Sequence, residues 1–311
     1  MTERPTRTTD VKGVRIAYNF GTIAVDHIDE LQAFVDRLDQ DGRLSDHATY
    51  REYIGNARYA LPEDFPEPRS IIAFALYVRL MRATFHLDGV GHDVLIPPQY
   101  YGLGLPKDAV PTIIRNEILP VSDRRLERLP HGHLKLLAVR SGLARYGRNN
   151  ITYVKGMGSF LMHTAFVTDC ELPDEWTELG MMAECESCRI CLDNCPTGAI
   201  REFEFVIDAG KCVPLYNEVP GDFPAWLPAG AHNAYIGCMR CQLPCPANRE
   251  VVADAGRLPA LSEEETRALL AGDPDNDASK SAGEKLRIGF DDEDTLRVVS
   301  RNLSALLTGG A

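Results

Sequence analysis

The chain has 311 residues, 44% of them hydrophobic, with 45 Asp and Glu against 33 Lys and Arg for a net charge of −12. That is length for two domains, or for one with a large insert, and enough apolar residues for a sizeable core. No apolar run of about 18 residues is present, so no transmembrane helix is expected; the polar start from Met1 to Lys12 lacks the apolar stretch of a secretory signal; and the acidic balance argues against a nucleic-acid partner.

In chain order, residues 1–12 read as disordered or extended. Ile28, Leu31, Phe34, Val35 and Leu38 recur at helical spacing, with Asp26 as the cap. The Pro-rich stretch Pro62 to Pro68 reads as a loop. Ile71 to Val78 is an unbroken apolar run, the pattern of a strand buried on both faces. Ala83 to Leu87 and Asp93 to Ile96 flank Asp88-Gly89-Val90-Gly91 as a hairpin. Pro97-Pro98 ends it, and the stretch Gln99 to Gly102 follows as an exposed loop. Asp108 to Leu119 reads as a helix with Pro111 in its first turn. Leu134 to Arg140 reads as another, stopped by Gly142.

Ile151 to Val154 and Phe160 to Val167 read as strands joined by the turn Gly156-Met157-Gly158. Further on, Ser262 and Glu265 form a capping box. Asp273 to Gly283 reads as a polar linker. Thr295 to Leu307 places Leu296, Val299, Leu303 and Leu306 on one helical face that docks on the body. Strands alternate with helices through the first 170 residues, which predicts an α/β or α+β domain there. Between Arg124 and Lys155 stand eight Lys and Arg and one acid, Glu127, a strip suited to a phosphate or anionic cofactor or to a solvated face.

Eight cysteines in the second half organise the chain. Cys185, Cys188, Cys191 and Cys195 are spaced x2, x2, x3 with Pro196 following. Cys212 stands alone. Cys238, Cys241 and Cys245 are spaced x2, x3 with Pro246 following. Soft thiolates suit iron–sulfur clusters, and the first run has the spacing of a bacterial two-cluster ferredoxin, where the cysteine before Pro reaches to the other cluster. One cluster would then take Cys185, Cys188, Cys191 and Cys245. The other would take Cys238, Cys241 and Cys195, with Cys212 as the candidate for its fourth ligand. Cys170 is left over as a buried structural thiol. Zinc ribbons use paired C-x2-C rather than a triple run ending in Cys-Pro, and disulfide frameworks suit short secreted chains. The need for thiolates predicts a reducing, cytoplasmic setting.

Taken together, Cys185 through Ile200, lone Cys212, and Gly237 through Asn248 resemble the epoxyqueuosine reductase family, which is related to the reductive dehalogenases. Ala138 through Asn149 resembles that family's Gly-Leu-Gly-x-x-Gly-Lys-Asn segment, with Ala144 for the second Gly and Arg148 for the Lys. The tail at Leu286 to Gly289 and Arg301 to Leu303 is also similar, so the resemblance runs roughly from residue 60 to residue 307. It implies a nitroreductase-like corrinoid-binding domain over residues 1–170. A bacterial ferredoxin-like domain with two [4Fe–4S] clusters follows over residues 171–250, and C-terminal helices pack on the body over residues 251–311.

It further implies base-off cobalamin fed by the clusters, a low-potential donor such as ferredoxin or flavodoxin, and reductive removal of an oxygen or halide from a small-molecule or modified-nucleoside substrate. Gly142, Gly147 and Asn149 would shape the corrinoid site. The position of the family's general-acid Asp falls on Arg128, beside Glu127. No helical-repeat extension like that of the longer members is expected, and this with the acidic charge counts against a tRNA substrate.

Candidate proton donors are therefore sought elsewhere: Tyr100, Tyr101, Glu127, His131, His133 and Tyr153. The two histidines read equally as exposed or capping residues, the tyrosines as ordinary packing, and His163 as a core histidine. Three functions stay open: a cobalamin- and iron–sulfur-dependent reductase, an electron-transfer protein without substrate chemistry of its own, and a corrinoid-handling protein.

Overall fold

The computed structural model describes residues 5–100, 105–288 and 293–308. It is a mixed helix and sheet protein whose chain forms two compact units. One takes the chain up to Tyr77, then Leu105–Arg189 and Arg201–Asp208. The other takes the stretch from Val78 up to Leu105, then Ile190–Ile200, and everything from Ala209 on.

The first unit is built on a five-stranded antiparallel sheet in the order Arg7–Val11, Val14–Ala24, Ser70–Tyr77, Leu161–Thr168, Leu126–Arg128. The central strand Ser70–Tyr77 is the apolar run seen in the sequence, and it has no polar face because both of its faces are covered. Ile71, Ala73 and Ala75 meet the helices Ile28–Gln40 and Leu134–Arg140. Ile72, Phe74 and Leu76 meet the helix Ala109–Glu117 on the other side. Tyr18 stacks on Phe74 with centroids 5.0 Å apart. Helix Leu134–Arg140 ends against the sheet at Gly21, where a Cβ would come within 2.3 Å of the Ser141 carbonyl oxygen.

One expectation is sharpened and three are corrected here. Of the two readings of residues 1–12, the extended one holds for Arg7–Val11, which forms a hairpin with Val14–Ala24, turned by Lys12 and Gly13 at φ 53° and 82°. The helix from Ile28 is not capped by Asp26; His27 holds the cap position and no side chain makes the capping bond, because Asp26 lies inside a preceding 3-10 turn. The two strands expected to form a hairpin through Gly156 and Gly158 do not pair. Thr152–Tyr153 pairs with Arg145–Tyr146, while Leu161–Thr168 enters the large sheet beside Ser70–Tyr77, leaving only a single bridge from Val154 to Gly158. Finally, the expected linker from Asp273 to Gly283 contains the helix Asp277–Leu286, capped by the Asn276 side chain and burying Ser279, Ala282 and Leu286.

The second unit holds a three-stranded sheet. Met81–Leu87 pairs antiparallel with Val90–Ile96 through a turn at Asp88 and Gly89 (φ 51° and 75°), and parallel with Gly256–Arg257. Its apolar face, Met81, Ala83 and Phe85, packs with Leu269, Leu286, Leu296, Val299 and Leu303 from the C-terminal helices Glu263–Ala271, Asp277–Leu286 and Glu293–Leu307. The Ser262–Glu265 capping box is formed, and Lys285 and Ser281 both reach the Glu265 carboxylate at 2.7 Å. Burial raises that carboxyl, but these bonds more than offset it and hold its pKa down at about 2. Among the described residues no helix is long and apolar enough to cross a membrane.

Candidate metal centre

Residues 183–248 carry the eight cysteines on short turns rather than long elements. Cys185 closes the 3-10 turn Ala183–Cys185 and Cys191 lies in the one-turn helix Ile190–Asp193. All eight are partly exposed, whereas Cys170 is buried in the apolar cluster around Phe166 and Ile72. None of the nine is in a disulfide among the described residues. Nor do three or more His, Cys, Asp or Glu side chains there close on one ion position.

The chemistry of the donors fits an anionic cluster. Burial pushes the Cys195 thiol up, but hydrogen bonds from the backbone N–H and hydroxyl of Thr197 and from the N–H groups of Ile200 and Ala199 outweigh it. The pKa falls below the ordinary thiol value. The hydroxyl lies 3.7 Å from Sγ, and Gly198, at φ 66°, lets the backbone curl around the sulfur. Burial raises the Cys238 thiol, the Arg240 N–H draws it down, and charge on the neighbouring Cys195 pushes it up again. Cys195 and Cys238 therefore stand near each other in the second unit.

The peptide before Cys238 is clamped. The buried Asn217 side chain donates to the Gly237 carbonyl at 2.7 Å and accepts from the Gly237 N–H at 3.0 Å. Asn302, on the C-terminal helix, donates in turn to the carbonyls of Asn217 (2.8 Å) and Tyr235 (3.1 Å). Gly237 adopts φ 76°, and a Cβ there would come within 3.0 Å of the Tyr100 ring. Tyr100 is hydrogen-bonded to Glu218. Burial and the neighbouring carboxylate hold the phenol well above its usual range, and crowding by surrounding protein raises the Glu218 carboxyl although part of that side chain remains open to solvent.

In the first unit, the Gly-Arg-Asn turn reaches the backbone of Cys185 and Cys188. The Gly147 N–H donates to the Ile151 carbonyl at 2.7 Å, and a Cβ on Gly147 would strike Asn149 and Tyr153 at 2.6 Å. Asn149 is buried and donates to the Tyr153 hydroxyl at 3.0 Å. Gly142, at φ 68°, ends its helix as expected. Arg148 lies between Gly147 and Asn149 and reaches the backbone carbonyls of Cys185 and Cys188. The Cys185 segment is held alongside by the Met182 N–H donating to the Tyr146 carbonyl at 2.8 Å.

The candidate proton donors scatter. Glu127 sits on the edge strand Leu126–Arg128 with its carboxylate 2.6 Å from Arg125. His133 begins the helix Leu134–Arg140 and is half-buried, its Nε2 3.1 Å from the Ala57 carbonyl; burial lowers its pKa. His131 is exposed and forms a single bridge with Ala60. Tyr153 is buried under Asn149, and Tyr101 lies outside the described residues. His163 lies 2.7 Å from the Thr152 hydroxyl, and burial, with Lys135 nearby, brings its pKa down to about 4. The basic strip does not act as one surface: Lys135 binds Asn150, Arg140 lies over Trp176, and Arg145 reaches the Glu178 carbonyl. Sequence reasoning missed Asn217 and Glu218, which carry no motif. It met Arg148 and Asn302 only as positions within similar segments.

Fold and donor set together define a mixed helix and sheet protein with an iron–sulfur segment: residues 184–248 match the family described as the 4Fe-4S double cluster binding domain. The resemblance read from the sequence recurs in the comparisons with curated proteins, over part of the chain. Epoxyqueuosine reductase of Aliivibrio fischeri is 31% identical over 156 residues, 49% of this chain and 41% of the relative. That of Escherichia coli is 36% identical over 115 residues, 36% of this chain and 29% of the relative. The chain thus matches less than half the length of these relatives. Among solved structures, epoxyqueuosine reductase from Bacillus subtilis matches with a TM-score of 0.61 at 18% identity, covering 93% of this chain and 77% of that one. An epoxyqueuosine reductase solved with an epoxyqueuosine-modified tRNA-Tyr stem loop matches with a TM-score of 0.61 at 20% identity, covering 93% and 76%. The protein has the fold of these reductases.

Proposed function

We propose that this protein is an iron–sulfur reductase resembling epoxyqueuosine reductase, with two [4Fe–4S] clusters that pass single low-potential electrons toward a substrate site. Cys185, Cys188, Cys191 and Cys245 hold one cluster, and Cys238, Cys241, Cys195 and Cys212 the other. The observation that carries the reading is the double-cluster match over residues 184–248, which contains all eight cysteines. The Thr197 hydroxyl and backbone N–H groups that converge on the Cys195 sulfur support it. Clusters of this type operate near about −400 mV and are tuned by burial and hydrogen bonds to sulfur.

Cobalamin, when bound, would supply the reductive chemistry in the nitroreductase-like segment 1–170. Gly142, Gly147 and Asn149 are the residues that would hold it; all three are buried, and Asn149 is hydrogen-bonded to Tyr153. Residues 171–250 act as the electron relay and residues 251–311 brace it, as Asn302 does for the peptide before Cys238. A ferredoxin or flavodoxin is the fitting donor. A modified nucleoside in tRNA is the substrate class carried by the solved relative. The reading is tested by anaerobic cluster reconstitution, addition of cobalamin, and turnover of an epoxyqueuosine-bearing stem loop with a low-potential donor. Appearance of the deoxygenated nucleoside supports it, and intact substrate with both clusters and cobalamin bound overturns the substrate assignment.

A second reading, an electron-transfer protein, is favoured by one observation: Arg128 stands where the family's acid falls, and neighbouring Glu127 is engaged by Arg125. A corrinoid-handling role without substrate turnover is the third. No change in the cobalamin spectrum on mixing would select the electron-transfer reading, and binding without turnover would select the handling role.

A further inference from the structure

Arg148 is 5% exposed, and its side chain is held by a turn with little freedom: the Gly147 N–H bonds to the Ile151 carbonyl at 2.7 Å and the Asn150 N–H to the Gly147 carbonyl at 3.1 Å. Its Nη2 donates to the Cys185 carbonyl and its Nε to the Cys188 carbonyl, the latter at 3.3 Å. Among the described residues no carboxylate forms an ion pair with it, whereas Arg140 pairs with Glu178 and Arg43 with Glu204. Burying a guanidinium without an anion is costly, and two neutral carbonyls offset only part of that cost. Arginine cannot shed its proton to escape the penalty. A buried cation gripping the backbone of two thiolate ligands is what an anion held by those thiolates would require.

Resting on the two-cluster reading above, we propose that Arg148 is the fixed counter-charge of the cluster held by Cys185 and Cys188, and that it raises the reduction potential of that cluster alone. With four thiolates a [4Fe–4S] cluster carries a charge of about −2 when oxidised and about −3 after taking one electron from the donor. No covalent bond forms or breaks in that step. The added negative charge strengthens its attraction to a cation that cannot move away, so reduction becomes easier. The other cluster has no such partner from this turn, and the two become unequal acceptors. Arg148 is a positioning residue in this account, since it touches the backbone of the ligands and not the reacting atoms.

The test is a redox titration followed by electron paramagnetic resonance on reconstituted wild-type protein, Arg148→Lys and Arg148→Gln, with iron counted in each. Arg148→Gln should keep full iron and show one midpoint potential shifted downward and the other unchanged. Arg148→Lys, which keeps the charge, should restore most of the shift. Unchanged potentials in Arg148→Gln, equal shifts in both variants, or loss of iron in Arg148→Gln with an unaltered potential in Arg148→Lys would make the residue a loop tether and overturn the proposal. Fewer than two clusters in the wild type is read from the iron count before any titration, and it would overturn the two-cluster reading together with this one.

Discussion

The five-stranded sheet and the cysteine-bearing segment 183–248 are held together by different means. In the sheet, backbone ladders run between strands, and Ile71, Ile72, Phe74 and Ala75 on the central strand are fully buried. The cysteine segment contains no strand among its described residues, and its helical turns are at most four residues long. It takes its order from polar side chains that tie down backbone: Asn217 on Gly237, Asn248 on the Gln242 carbonyl, Arg148 on Cys185 and Cys188. Its own apolar cluster is small, Val213, Leu227 and Ala231 with Tyr216 and Phe223 against them, and on the two-cluster reading the bonds its ligands make to metal add to its stability. The sheet needs no such help.

The largest expected effect separates the two regions. Removing iron with a chelator under reducing conditions should abolish amide-exchange protection around Cys185 to Cys195 and Cys238 to Cys245 while leaving Ser70–Tyr77 protected. Equal loss in both would show that the sheet depends on the clusters too. Next, Phe74→Ala should cost about 3–5 kcal/mol in denaturant unfolding, as expected for a fully buried aromatic. A cost below about 1 kcal/mol would mean that the strand's second face is not packed as described.

His163 gives the sheet a pH dependence. Its folded pKa, about 4, lies below the unfolded value of about 6.5. The unfolded chain therefore takes up the proton first. Stability should be constant above about pH 6.5 and fall by up to about 3 kcal/mol as pH drops to about 4, a slope that His163→Gln should flatten. Urea midpoints across that range decide it.

Asn217→Ala should cost about 1–3 kcal/mol by leaving the Gly237 N–H and carbonyl unpaired, and should loosen the second cluster without touching the sheet. Exchange rates near Cys238 equal to wild type would contradict that. The smallest effect is reserved for Cys170→Ser, which lies in an apolar cluster of the first unit and should leave iron content unchanged. A fall in iron there would place the ninth cysteine among the ligands.

What could be read from the sequence follows the same division. Ser70–Tyr77 was legible because eight consecutive positions are apolar or small, and the hairpin at Asp88-Gly89 and the Ser262–Glu265 box because each rests on local chemistry. The cysteine spacing pointed to a double-cluster segment for the same reason. Strand order was not legible. Leu161–Thr168 pairs with a strand some ninety residues earlier, while the nearby Gly156-Met157-Gly158 turn suggested a local partner. Val14–Ala24 was missed because Asn19, Gly21 and Thr22 interrupt its apolar pattern, and each has a tertiary reason to be there. Gly21 makes room for Ser141, and Thr22 binds the Pro173 carbonyl and Glu175. Asp277–Leu286 read as a linker because only a narrow face of small residues, Ser279 and Ala282 with Leu286, is buried. Arg148 could not be assigned a role from sequence, since its partners are main-chain carbonyls nearly forty residues away.

The central claim is most directly tested by iron and acid-labile sulfide per chain after anaerobic reconstitution, in wild type and in Cys212→Ser. About eight of each per wild-type chain, falling toward about four when only the cluster shared with Cys195 is weakened, is the predicted result. A single zinc ion per chain, or wild-type iron content in Cys212→Ser, would contradict it.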